Sequence, residues 1–283
     1  MTQAATARGV LVLSPGAGSM NPKTEARLRE AFGDHAVLVF KGRRGFLKNI
    51  PKGARVVVAG GDGTIGFVAR ELVDTDHPLG ILSLGTYNNF ARSLGLPTEL
   101  GAAIDVIRKG RPRPITMGRV NGIPFLEVAA VGLFGEAISL GEAAKDRAFG
   151  HLRERLRAVT GARPFHYQLS GDLDGEGDAM SLVFANTPST GAQMPIAAKT
   201  PEDPFLELSV HAGSSPTDIV GRILASSVLQ KHVESADAVF RFRQLEVTTR
   251  PRAAVYADNA KAGRTPATVT AEVGALHVIL GPR

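Results

Sequence analysis

The chain contains no cysteine and no tryptophan. Without cysteine there is no disulfide framework, no thiolate nucleophile and no cysteine-ligated metal, and the seven histidines stand singly, without the close spacing of a metal-binding pair. Such usage fits a reducing compartment. Aromatic residues make up only 6% of the chain, and no helix-turn-helix, RNA-recognition or zinc pattern occurs, which argues against nucleic acid as a partner. Long apolar runs are also missing. The most apolar stretch, Pro124 to Leu140, is interrupted by Glu127 and Glu136 and falls short of the roughly 20 apolar residues of a spanning helix. The opening MTQAATARGVLVLSPGAG has only a short apolar run before Ser14 and Pro15, shorter than the core of a secretory signal. We therefore expect no secretion, a cytoplasmic location and, at most, peripheral membrane contact. No internal repeat and no low-complexity segment is found.

What is present is a globular composition, 43% hydrophobic and 21% charged over 283 residues, enough for one real core or two modest ones. Lys and Arg outnumber Asp and Glu by 33 to 27, a net charge of +6 that favours anionic partners, whether phosphates, nucleic acid or an anionic lipid surface, without choosing among them. The basic residues cluster: Lys41, Arg43, Arg44, Lys48 and Lys52; Arg108, Lys109, Arg111 and Arg113; Arg147, Arg153, Arg155 and Arg157.

Up to about Gly110 short β-rich runs alternate with helical stretches: Val10–Ser14 then Pro22–Phe32, Ala36–Phe40, Arg55–Ala59 then Thr64–Val73, and Leu79–Leu84 then Asn88–Leu94 and Glu99–Lys109. This pattern predicts a parallel sheet covered by helices, with ligand loops at Gly16, Gly60 and Gly85, just past the strand ends. After the turn-rich Arg108–Pro114 the pattern changes to many short strands interrupted by helices over Lys145–Val159 and Pro216–Lys231. An antiparallel sandwich or barrel is expected there. The division predicted is 1–114 for an α/β domain and 115–283 for a β-sandwich domain. The acidic, glycine-rich Gly171–Asp178 reads as a hairpin tip, since it lacks the ligand spacing of a calcium loop.

The strongest local signal is Arg55-Val-Val-Val-Ala-Gly60-Gly61-Asp62-Gly63-Thr64-Ile65-Gly66, a buried strand feeding a glycine loop that opens a helix. Glycines remove the Cβ atoms that would keep an anion away, and the N–H groups of a helix start point at it, so the loop suits phosphate. Gly61-x-Gly63-x-x-Gly66 formally meets the dinucleotide fingerprint, but the next strand ends at Leu84-Gly85 with no acidic residue for a ribose. A Walker A loop would need a lysine before Thr64, and Gly63 stands there.

Together with Gly85-Thr86-Tyr87-Asn88-Asn89-Phe90 and the Ser14-Pro15-Gly16-Ala17-Gly18 loop, this segment resembles the diacylglycerol kinase catalytic domain family, to which sphingosine and ceramide kinases are related. The resemblance implies an N-terminal three-layer NAD-kinase-like α/β domain, a C-terminal β-sandwich domain, and a nucleotide held between them. It implies transfer of phosphate from ATP, with Mg²⁺, to the hydroxyl of a diacylglycerol-like or sphingoid lipid alcohol. Ser14, Gly16, Gly60, Gly61, Gly63, Thr64, Gly85, Thr86 and Asn88 would bind the nucleotide, and Asp62 would serve catalysis and hold Mg²⁺. Asp203 and Leu206 would hold a structural Mg²⁺. A homodimer is among the assemblies this reading admits. The sequence departs from the family at Asn89, Pro204 and Ala260, which replace Asp, Gly and a glutamate that accepts the proton; Asp258, two residues from the gap and on the same face if the strand continues, is the candidate substitute base, and it reads equally well as a turn residue capping Asp258-Asn259. Two alternatives follow: a nucleotide- or lipid-binding homologue with impaired turnover, and a soluble-substrate kinase of the NAD kinase type.

Overall fold

The computed structural model describes residues 8–137, 161–191, 193–212 and 236–282. The helices expected over Lys145–Val159 and Pro216–Lys231 lie outside the described residues. The chain divides into two units, Met1–Ile115 with Val273–Arg283, and Thr116–Glu272.

The first unit is built on a parallel sheet in the order β2-β1-β3-β4-β18, with strands β1 (Gly9–Leu13), β2 (His35–Val39), β3 (Arg55–Gly60), β4 (Leu79–Ser83) and the distal part of β18 (Ala267–Leu280). Among the described residues four helices accompany it: α1 (Pro22–Ala31), α2 (Asp62–Leu72), α3 (Asn89–Ser93) and α4 (Leu100–Lys109). Strand residues alternate between faces. Leu11, Leu13, Val57, Ala59 and Leu82 pack with Leu28 of α1 and Ala103, Ile104 and Ile107 of α4. The opposite residues Val10, Val12, Val56, Val58 and Ile81 are equally buried, as are Ile65, Val68, Ala69 and Leu72 of α2, which packs on β3 and β4. That both faces are covered explains why these strands read as unbroken apolar runs. The Asn21 side chain accepts from Thr24 N–H at 2.9 Å and Pro22 opens α1, and Glu99 caps α4 through Gly101 and Ala102 N–H.

The second unit holds two antiparallel layers. One contains β14 (Ala238–Phe242), β13 (Leu206–His211), β10 (Ser181–Ala185), β7 (Val128–Gly132), β16 (Ala254–Ala257) and β17 (Ala260–Arg264), in that order. The other contains β9 (Gly175–Ala179), β8 (Phe165–Gly171), β15 (Gln244–Arg250) and the first part of β18, with β5 (Arg111–Val120) and β6 (Ile123–Phe125) joined to it. A short pair, β11 (Ser189–Thr190) and β12 (Met194–Pro195), lies apart. Val120, Phe125, Leu169, Leu245, Val247 and Val269 from one layer pack with Val131, Leu182, Phe184, Leu208, Phe242 and Val255 from the other, which makes the unit a β-sandwich.

Three boundaries differ from expectation. Strand β5 starts at Arg111, because Pro112 and Pro114 fall on its exposed first residues, where missing N–H groups cost little. The acidic loop is partly strand, since β9 pairs with β8. The last residues return to the first unit: Val278 pairs with Leu79, so β18 fills the place beside β4 that the linear division assigned to nothing.

Candidate active site

The glycine-loop residues meet at the carboxyl ends of β1, β3 and β4. Ser14 N–H donates to Ala59 O at 3.0 Å, and Thr64 Oγ1 donates to Ser14 Oγ at 3.0 Å, so the loop after β1 is stitched to the first turn of α2. Gly60 leaves no room for a side chain, because a Cβ there would lie 2.8 Å from Thr64 Cβ. Gly85 is equally constrained: a Cβ would come within 2.7 Å of Gly61 Cα. These two loops therefore approach backbone to backbone, which only glycine permits. Gly16 and Gly63 differ, since a Cβ at either would enter open space. Here the missing side chains leave exposed backbone open beside the start of α2, whose N-cap Gly61 supplies no side chain to satisfy the first helical N–H groups.

Asp62, the first residue of α2, accepts from Asn88 N–H through Oδ2 at 2.8 Å. Asn88 takes the left-handed conformation (φ 54°), and its amide bonds Gly85 twice, accepting from N–H and donating to the carbonyl, each at 3.0 Å. The Asn88 side chain thus holds the Gly85 loop rather than presenting itself to a ligand, whereas Thr86 beside it is exposed. Ser83, which pairs with Gly60 across β3 and β4, is buried with an Oγ that has no hydrogen-bond partner among the described residues. The sequence reading missed this hydroxyl; its position at the end of a strand next to the glycine loop is the signal that marks it.

Residues 20–120 match the family model described as the diacylglycerol kinase catalytic domain, and residues 142–280 match that described as the YegS C-terminal NAD kinase beta sandwich-like domain. A diacylglycerol kinase of Mycobacterium tuberculosis is 33% identical over 239 residues, 79% of this chain and 76% of the relative. The chain belongs to the diacylglycerol kinase family of lipid kinases. A probable YegS-like lipid kinase of Klebsiella pneumoniae is 32% identical over 166 residues, 56% of each chain. For an uncharacterized Synechocystis relative the match spans 52% of that protein's length and 76% of this chain, at 27% identity. The crystal structure of a diacylglycerol kinase from Bacillus anthracis shares the fold, with a TM-score of 0.72 at 22% identity over 97% of this chain and 98% of that one.

The second unit departs from the family's pattern in ways the structure makes concrete. Asp258 opens the two-residue turn between β16 and β17, at φ 48°, and its carboxylate accepts from the N–H groups of Leu126, Glu127 and Val128 at 3.0, 2.9 and 3.2 Å. Ala260 lies across the turn, opposite Ala257, so the shared-face argument for Asp258 as substitute base fails: a reverse turn, not a continuous strand, separates 258 from 260. Asp258 instead clamps the 126–128 backbone.

The structural Mg²⁺ expected at Asp203 and Leu206 does not fit the residues present. Asp203 Oδ2 accepts from Thr200 N–H at 2.7 Å and the Asp203 carbonyl accepts from Thr116 Oγ1 at 2.7 Å, while Leu206 is the buried first residue of β13, opposite Phe242. Among the described residues no group of three His, Cys, Asp or Glu side chains is placed to hold a metal. The cation nearby is Lys199, only 1% exposed, whose Nζ donates to Asn186 Oδ1 at 2.7 Å. Burial pushes its pKa down to about 7, against the opposing influence of Asp203 and Glu207. Nothing in the sequence marked Lys199. Asp62, by contrast, suits a Mg²⁺ of the kind that takes one carboxylate and completes its shell with substrate phosphates and water.

Proposed function

We propose that the protein transfers the γ-phosphoryl group of ATP to the hydroxyl of a diacylglycerol-like lipid, with Mg²⁺. The observation that carries this reading is the open backbone at Gly16 and Gly63 beside the uncapped N-terminus of α2, which we read as a phosphate cradle, next to the close backbone approach of Gly61 and Gly85. In this reading the backbone N–H groups of Gly61 to Thr64 bind phosphate oxygens, and Ser14 and Thr86 border the nucleotide. Asn88 and Gly85 hold the loop that fixes Asp62. Mg²⁺, carried on Asp62 when bound, neutralises phosphate charge. Phosphoryl transfer depends mainly on positioning and charge stabilisation, which these groups provide. The relatives named diacylglycerol kinase favour a diacylglycerol-like acceptor over a sphingoid one.

A second reading, a nucleotide- or lipid-binding protein without turnover, is favoured by one observation: Asp258 is spent on three backbone N–H groups and Ala260 offers no acceptor for the hydroxyl proton. Labelled ATP incubated with the protein and detergent micelles of diacylglycerol or sphingoid lipid, or with NAD, decides. Label in the diacylglycerol product is expected. Label only in NADP identifies a soluble-substrate kinase, and ATP binding with no labelled product establishes the binding protein.

A further inference from the structure

The segment between β2 and β3, FKGRRGFLKNIPKGA, carries Lys41, Arg43, Arg44, Lys48 and Lys52 and no acidic residue. Lys41, Arg43, Arg44 and Lys48 are exposed, and none makes an ion pair with a described residue. Two acids that touch the segment are engaged: Glu71 accepts from Gly45 N–H at 2.6 Å, and Asp76 lies 3.9 Å from Lys52. Beside these charges three phenylalanines form a partly buried cluster, with Phe40 5.2 Å from Phe67 and 6.0 Å from Phe46 between ring centroids. Val39, the end of edge strand β2, is 47% exposed next to them. The segment is held in place by Phe40 N–H on Leu13 O, by the Glu71 bond and by buried Leu47, so the display is built rather than incidental.

Clustered apolar rings rimmed by unpaired cations on one surface match an interface that is anionic outside and apolar just beneath. We propose that this basic-aromatic face, Phe40, Phe46 and Phe67 with Lys41, Arg43 and Arg44, docks the first unit on an anionic lipid bilayer. Strands β1 to β4 are parallel, so the segment leaves β2 at the same carboxyl end of the sheet as the Gly60–Thr64 loop. Docking there brings the phosphate cradle to the bilayer that would hold a lipid acceptor; this last point rests on the kinase reading, whereas the docking itself does not. The rings stack edge to face on one another instead of standing as open platforms for bases, which favours a bilayer over single-stranded nucleic acid.

The test is sedimentation of the full chain with vesicles of phosphatidylcholine, alone or mixed with phosphatidylglycerol, without ATP or diacylglycerol. Binding is expected only to the mixed vesicles and is expected to weaken as salt rises. The triple variant Lys41→Glu, Arg43→Glu, Arg44→Glu should bind at least about 100-fold more weakly, since each cation contributes about 1 kcal/mol near such a surface. Phe46→Ser should lose about tenfold while keeping the salt dependence. ATP-induced shifts in melting temperature must stay as in wild type in both variants; loss of the shift in the triple variant assigns the cations to the nucleotide and overturns the proposal. So do equal binding to pure phosphatidylcholine, no binding to mixed vesicles, or retention on RNA without vesicle binding. Phosphoryl transfer in micelles, measured separately, keeps failure of the kinase reading distinct: a chain that docks but does not transfer retains the docking face, and one that transfers but does not dock loses it.

Discussion

Gly63 and Gly85 are both required by the candidate site, but for opposite reasons, and substitution separates them. At Gly85 a methyl group would strike Gly61 Cα at 2.7 Å, so Gly85→Ala should lower stability by about 1–3 kcal/mol and disrupt nucleotide binding with it. At Gly63, inside α2, a methyl group meets nothing, so Gly63→Ala should raise stability by up to about 1 kcal/mol through helix propensity. The same methyl fills the cradle, and ATP affinity should fall. Thermal melts with and without ATP read both effects: a stabilised variant that has lost the ATP-induced shift is the expected outcome, and an undiminished shift removes Gly63 from the site. Lys199 gives a prediction of different sign with pH. Its native pKa is lowered to about 7 from 10.5, so between these values the unfolded chain binds a proton that the native chain does not. Stability should therefore rise with pH from about 7 towards 10, by a few kcal/mol. Lys199→Met should flatten this rise. It leaves Asn186 Oδ1 without its donor, at a cost of about 1–3 kcal/mol, so the variant is expected to be less stable than wild type at pH 9 and to close that gap at pH 6. Urea unfolding at the two pH values measures the difference.

The β16–β17 hairpin decides whether the family's missing acceptor can be restored. Ala260 is the exposed first residue of β17, so a glutamate there costs no buried charge and has only to extend from an edge. A positioned base is worth about 10² to 10⁴ in rate. Ala260→Glu should raise kcat in the micelle assay within that range and leave ATP affinity unchanged, as an interaction formed mainly in the transition state requires. No gain in kcat, with ATP binding intact, supports the non-catalytic reading. This hairpin also shows where sequence reasoning stops. The buried strands β1, β3 and β4, the capped helices α1 and α4 and the glycine loop were legible because each is set by local chemistry: apolar runs, Asn21 and Pro22, Glu99, and glycine where backbones touch. The turn at Asp258 was not, since Asp-Asn-Ala between two short strands reads equally as strand or turn, and only the long-range bonds to Leu126, Glu127 and Val128 fix it. Lys199 was invisible for the same reason: its burial and its bond to Asn186 depend on how a sheet thirteen residues away in sequence is covered.

At the scale of the molecule the chain's return is what a linear division misses. Strand β18 pairs with β15 through Ala267–Thr270 and, further along, with β4 through Val278. The residues after Glu272 therefore serve the first unit: Asp74 N–H donates to Ala275 O at 2.8 Å, and Ile279 joins the cluster of Leu82, Ile104 and Ile107. Leu276, Val278, Ile279 and Leu280 are at most 2% exposed. Burying four such side chains is worth roughly 6–12 kcal/mol, as large as the whole stability of an ordinary domain. A chain ended after Glu272 keeps every strand of the sandwich but strips this strand from the parallel sheet and opens the edge of β4, a run of buried apolar residues with unpaired backbone. We expect the truncated protein to lose its ATP-induced rise in melting temperature, to bind a hydrophobic dye and to aggregate, although the Gly60–Thr64 loop is intact in sequence. Adding Val278→Asp to the full chain should reproduce the loss by placing an unpaired charge at a fully buried position without shortening anything. A truncated chain that still melts higher with ATP would show that the first unit stands without β18, and would return the boundary to a single cut near residue 115.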